Sequence, residues 1–87
     1  MNVNPNITFN IFFKINLSFF LQNLVLKFDP GNLKALYRRS QAYKGLQKYE
    51  EAIKDAKMLM SIDSKNQDFI LHMKSLVSVV ENKVYIY

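Results

Sequence analysis

Asn32-Leu33-Lys34-Ala35-Leu36-Tyr37-Arg38-Arg39-Ser40-Gln41-Ala42-Tyr43-Lys44-Gly45 is the most informative stretch of this chain, together with Tyr49-Glu50-Glu51-Ala52-Ile53-Lys54-Asp55-Ala56 just after it. Asp29-Pro30-Gly31 stands ahead of the first stretch and breaks any helix arriving from upstream, because proline pushes Asp29 out of the helical region. Asn32 can then cap a helix that starts at Leu33 and runs to about Lys44. Gly45 ends or bends that helix, since glycine costs about 1 kcal/mol relative to alanine inside one. After a short turn a second helix opens near Tyr49, with Glu50 and Glu51 in the first turn where the helix dipole favours acids. Its apolar stripe is Tyr49, Ala52, Ile53, Ala56, Leu59 and Met60. Phe69, Ile70, Met73, Leu76, Val77 and Val80 repeat the rhythm and predict a last helix over residues 66–82. The expected fold class is all-α. Val84-Tyr85-Ile86-Tyr87 is β-prone and is expected to fray.

Working towards the N-terminus, residues 1–23 are of a different kind. They hold five of the seven Phe, six Asn and no acid. They stay unassigned, with helix expected in part. From Ile7 to Leu26 the sequence is apolar but interrupted by Asn10, Lys14, Asn16, Ser18, Gln22 and Asn23, which makes a poor transmembrane helix. No basic region leads into it and no small-residue cleavage site follows, so a signal peptide is not expected either. The triplets Asn6-Ile7-Thr8 and Asn16-Leu17-Ser18 match the glycosylation pattern by chance in an Asn-rich stretch.

The 87 residues contain no cysteine and a single histidine, so neither a disulfide nor a metal site is expected. No nucleophile–base pair or phosphate loop suggests an enzyme, and no cofactor is implied. Twelve Lys and Arg against seven Asp and Glu leave a net charge of +5. Residues 32–48 carry five bases (Lys34, Arg38, Arg39, Lys44 and Lys48) and no acid, while the rest of the chain balances at seven and seven. The whole excess lies in that one segment, which points to an anionic partner. Nucleic acid is not expected, because the aromatic residues are spaced for packing rather than base stacking. No membrane partner is expected.

Leu26-Lys27-Phe28-Asp29-Pro30 and Met60-Ser61-Ile62-Asp63-Ser64 share an apolar-x-apolar-Asp pattern 34 residues apart, the period of the tetratricopeptide repeat. Leu36, Ser40 and Tyr43 match the large, small and aromatic positions of that repeat's first helix, and Tyr49 and Ala52 match the opening of its second. Arg39, Gln47 and Ser64 depart from the pattern, standing where an apolar residue, glycine and proline are usual. Residues 24–32 then end a preceding repeat, 33–66 form one complete repeat, 67–83 resemble the capping helix of such solenoids, and 84–87 are a tail. Over residues 24–83 the sequence resembles the third repeat of chaperone-binding tetratricopeptide domains. Within that group it is most similar to the myosin-directed co-chaperones of the UCS family, the Unc-45 type.

The resemblance implies a cytoplasmic protein-interaction module. In that class a lysine and an arginine four residues apart on the repeat's first helix grip the carboxylates of a chaperone's Glu-Glu-Val-Asp tail. The chaperone is of the heat-shock protein 90 or 70 class. Here the two residues are Lys34 and Arg38. Helical geometry agrees with the assignment, because Lys34, Tyr37, Arg38, Gln41 and Gly45 share one stripe with Lys44 at its edge, while Leu36, Ser40 and Tyr43 occupy the buried side. Tyr37, Gln41 and Lys44 are candidate groove contacts. Gln41 serves a peptide backbone or is simply solvated, and Lys44 and Lys48 are expected to be exposed. Arg39 is expected in a structural ion pair or snorkelling, Tyr43 and Tyr49 in the core, and His72 on a solvated helix face with nothing pairing it as a base. The alternative reading is a structural fragment of a larger scaffold, because the matching class draws further carboxylate contacts from two earlier repeats.

Overall fold

A computed structural model describes residues 5–85. Within them the chain forms four helices and no strand: α1 (Pro5–Phe28), α2 (Leu33–Gly45), α3 (Tyr49–Ile62) and α4 (Gln67–Tyr85). Each helix packs on the next, so the chain is an all-α, tetratricopeptide-like helical fragment.

The two interhelical breaks at the repeat boundaries use one device twice. Asn32 Nδ2 donates to Asp29 at 3.1 Å, while Asn32 Oδ1 accepts from the Ala35 amide at 2.9 Å and caps α2. Thirty-four residues on, Asn66 Nδ2 donates to Asp63 at 3.3 Å, while Asn66 Oδ1 accepts from the Asp68 and Phe69 amides. Each asparagine satisfies amide donors that a helix start leaves unpaired. The α2–α3 turn ends differently. Gln47 sits at φ 61°, the Lys48 amide reaches back to the Tyr43 carbonyl at 2.8 Å, and the Gln47 amide reaches the Lys44 carbonyl at 3.0 Å. This pair of bonds closes a helix through a left-handed residue, which explains why glycine is usual at this position.

Two small apolar clusters make the core. One joins Leu26, Ala35, Leu36, Leu59 and Phe69; the other joins Ala52, Ala56 and Leu76, flanked by Tyr43 and Tyr49. Both tyrosines are half-buried. Ser40 is fully buried, and its hydroxyl donates to the Ala52 carbonyl at 2.7 Å, pinning α2 to α3.

The structure departs from the sequence reading at both ends. The boundary at residue 23 does not exist, because α1 runs through it unbroken. Of the six polar residues that looked like interruptions, Ser18, Gln22 and Asn23 turn towards α2, with Gln22 only 8% exposed, and Asn10, Lys14 and Asn16 stay in solvent. The stretch from Ile7 to Phe28 is long and apolar enough to cross a membrane by length and composition, contrary to the reading of it as broken. At the other end α4 continues to Tyr85, past the boundary expected near residue 83, so Val84 and Tyr85 are helical rather than strand-like. The expectation for Ile86 and Tyr87 lies outside the described residues.

Gly45 does more than end α2. A Cβ there would meet Ile15 Cδ1 at 3.0 Å, so the missing side chain lets α1 cross close to α2. Phe19 completes that contact, its ring edge-on to Tyr43 with centroids 4.9 Å apart.

Candidate peptide-binding ridge

α2 packs on α1 and α3 while keeping a cationic stripe in solvent. Its buried side carries Ala35, Leu36, Ser40 and Ala42. Opposite them Lys34, Arg38 and Gln41 are exposed. Among the described residues no hydrogen bond or ion pair engages Lys34 or Arg38. At i and i+4 the two cations lie on neighbouring turns, where like charges oppose folding by about 0.2–0.5 kcal/mol. Lys34 also stands in the first turn of α2, which contains no acid, so it lies where the helix dipole favours an anion. Both conditions disfavour the free ridge and are relieved by a bound carboxylate.

Arg38 and Gln41 line a hollow of about 340 Å³ with Ala42 and with Lys14, Ile15 and Ser18 of α1. Lys14 therefore adds a third cation beside Arg38. Sequence reasoning missed it, because it lies in the segment that carried no assignment; its place became visible only once α1 was seen to cross α2 at Gly45. A larger hollow of about 540 Å³ lies elsewhere, between the end of α1 and α3, and contains neither Lys34 nor Arg38. Its Arg39 and Asp55 are already engaged with each other.

Two further groove candidates turn towards α4. The Tyr37 ring packs against Phe69 and, edge-on, against His72, both with centroids 5.3 Å away. Lys44, expected to be exposed, is half-buried and donates to Ser75 Oγ. Lys48 is exposed, as read.

His72 overturns its expectation. It is 7% exposed, and its Nε2 lies 2.6 Å from Ser40 Oγ. The single hydroxyl proton of Ser40 goes to the Ala52 carbonyl, so both contacts are satisfied when His72 carries its hydrogen on Nε2 and donates to the serine. Burial, and then the charge of Lys44, hold the imidazole below its ordinary range, which keeps it neutral. The serine oxygen is fully buried and its proton is committed, so the pair locks α2, α3 and α4 together rather than forming a reactive centre.

Arg39 forms the ion pair expected of it. Nε and Nη2 donate to the two oxygens of Asp55 at 2.7 and 2.6 Å, and Nη1 donates to Asn23 Oδ1 at 3.0 Å. The Asp55 hydrogen bond raises the guanidinium pKa further, and the group also sits 5.8 Å from the centre of the Tyr43 ring. Arg39 thus joins α1, α2 and α3 and is removed from ligand binding.

No family model matches the chain. Similar segments do occur in larger proteins. Unc-45 homolog B of Danio rerio is 36% identical over 56 residues, covering 64% of this chain and 6% of that protein. The human FK506-binding protein-like is 49% identical over 43 residues, covering 49% and 12%. Sperm-associated antigen 1 of Mus musculus is 42% identical over 41 residues, covering 47% and 5%. All three are partial homologues of the chain. It spans only a small part of each of these relatives. With the four-helix geometry, the likeness makes it a protein-interaction module of the tetratricopeptide type.

Proposed function

We propose that the chain forms one wall of a peptide groove and grips the acidic C-terminal tail of a heat-shock chaperone, of the heat-shock protein 90 or 70 class. The observation that carries this reading is the pair of exposed, unengaged cations Lys34 and Arg38, one turn apart on α2, with Arg38 lining a hollow that Lys14 also lines. Arginine can hold a carboxylate through two parallel hydrogen bonds, and lysine follows as a mobile point charge. A free C-terminal carboxylate beside an acidic side chain offers both of them a partner. Gln41 is placed to bond the peptide backbone, and Tyr37, backed by Phe69 and His72, forms a rigid floor. The likeness to Unc-45 homolog B supports a co-chaperone role; a connection with myosin folding and a place in the cytoplasm belong to the same proposal. The groove's other carboxylate contacts would come from repeats outside this chain, so affinity for the isolated chain is weak.

Fluorescence anisotropy of a labelled peptide ending in Glu-Glu-Val-Asp tests the proposal. The chain binds it, and Lys34→Ala combined with Arg38→Ala lowers the affinity at least tenfold, while Lys48→Ala leaves it nearly unchanged. Equal binding by the parent and the double variant would favour a structural fragment with no functioning groove.

A further inference from the structure

The outward face of α1 is more apolar than the face it packs on the protein. Inward lie Gln22, 8% exposed, with Ser18 and Asn23 half-buried; outward lie Phe20 and Phe28, 65% and 80% exposed. Five of the eleven exposed apolar residues of α1 line up along one side. Phe13, Leu17, Phe20, Leu24 and Phe28 recur at spacings of four, three, four and four, which places them on one side of the helix over about 22 Å. Soluble monomers rarely leave so continuous an apolar surface open, and such surfaces mark protein or membrane contacts.

The charges favour a membrane. Lys14 and Lys27 flank the stripe on opposite sides, each about 60–80° from its centre at 100° per residue, and α1 contains no Asp or Glu. Pairing two copies of the chain stripe to stripe would bring four lysines together with no acid on either helix to offset them. An anionic lipid surface supplies the missing counter-charge, and the chain as a whole carries +5. Phenylalanine and leucine beside flanking lysines suit such a surface, the apolar side chains reaching the acyl boundary and the lysines reaching up to phosphates.

We propose that α1 docks the protein flat on an anionic lipid surface through the stripe from Phe13 to Phe28. The helix is long and apolar enough to cross a bilayer by composition, but crossing would strip the contacts that hold its inner face: Asn23 to Arg39, Ile15 over Gly45, and Phe19 on Tyr43. Lying on the surface keeps all three. Lys14 also lines the hollow beside Arg38, so one lysine is shared with the peptide-binding reading, while the stripe and Lys27 lie apart from it.

The full chain contains no tryptophan, so Phe20→Trp gives a single reporter at the centre of the stripe. Vesicles of phosphatidylcholine with a minor share of phosphatidylserine should shift its emission to the blue, and brominated acyl chains should quench it. Binding to phosphatidylcholine alone should be at least tenfold weaker, since each lysine near an anionic surface contributes about fivefold. Leu17→Gln with Leu24→Gln should lower binding at least tenfold without changing the circular dichroism in buffer, because both side chains are about half exposed. Lys14→Glu with Lys27→Glu should erase the preference for anionic vesicles. An emission spectrum unchanged by either vesicle would overturn the proposal. So would a dimer in sedimentation equilibrium whose tryptophan is already blue-shifted in buffer and indifferent to lipid, which would make a second copy the occupant. Equal binding to both vesicle types would overturn the anionic selectivity on which the proposal rests.

Discussion

Replacing Arg39 by leucine should cost far more than its place on a partly exposed helix suggests. The Asp55 side chain is 6% exposed and that of Arg39 is 24% exposed, and the guanidinium meets both carboxylate oxygens at 2.6–2.7 Å. Removing the arginine leaves a buried carboxylate with no counter-charge, a loss of about 3–5 kcal/mol. Removing the acid instead, by Asp55→Leu, leaves a guanidinium that can turn towards water and costs about 1–3 kcal/mol. The double variant removes both charges and sets an apolar residue at position 39, where repeats of this kind usually have one; it should lie within about 1 kcal/mol of the parent. A chain of 87 residues has a stability of about 4–13 kcal/mol. Arg39→Leu alone should therefore lower Tm by roughly 15–30 °C. Thermal melts followed by circular dichroism give the four corners of the cycle. A double variant as unstable as the sum of its singles would refute the coupling, and with it the role of Arg39 as the tie between α1, α2 and α3.

Three more outcomes follow from the structure. Gln47→Gly should raise stability in urea unfolding by about 0.5–1 kcal/mol, because it relieves an L-residue held at φ 61° at the smaller cost of a more flexible unfolded chain. His72 has its pKa lowered in the fold by burial, so its contribution is complete above its ordinary value of 6.5 and is lost as the pH falls through the lower folded value. Melts between about pH 7.5 and 5 should show this loss in the parent and not in His72→Gln, whose amide can still donate to Ser40. Gly45→Leu should destabilise by about 1–3 kcal/mol in urea unfolding, by driving a side chain into Ile15 and prising α1 from α2.

The repeat core could be read from the sequence because its signals are local. The Asn32 cap, the apolar-x-apolar-Asp pattern repeated at Asp29 and Asp63, and the apolar stripes of α3 and α4 each act within a few residues. The Lys34–Arg38 spacing is local too, since one turn of helix places both on the same side. What escaped depends on which helix crosses which. α1 turns Ser18, Gln22 and Asn23 inward beside Ile15, Phe19 and Leu26 and leaves most of its Phe and Leu outward, so its pattern misleads when inward is assumed to mean apolar. His72 looked solvated because its own helix face is polar, yet the face it meets on α2 is also polar and satisfies it through Ser40. Lys44 looked free for the same reason and is tied to Ser75. The role of Gly45 as a crossing point, and of Lys14 as a neighbour of Arg38, appears only with α1 in place.

The central claim is that α2 recognises a terminal carboxylate. Calorimetry on the full chain, comparing a peptide ending in Glu-Glu-Val-Asp with its C-terminal amide, tests this most directly. Two charge-assisted contacts without the rest of a groove support a Kd on the order of 0.1–1 mM for the free acid. The account predicts that amidation weakens this at least tenfold. Equal heats from the two peptides, or none from either, would contradict it.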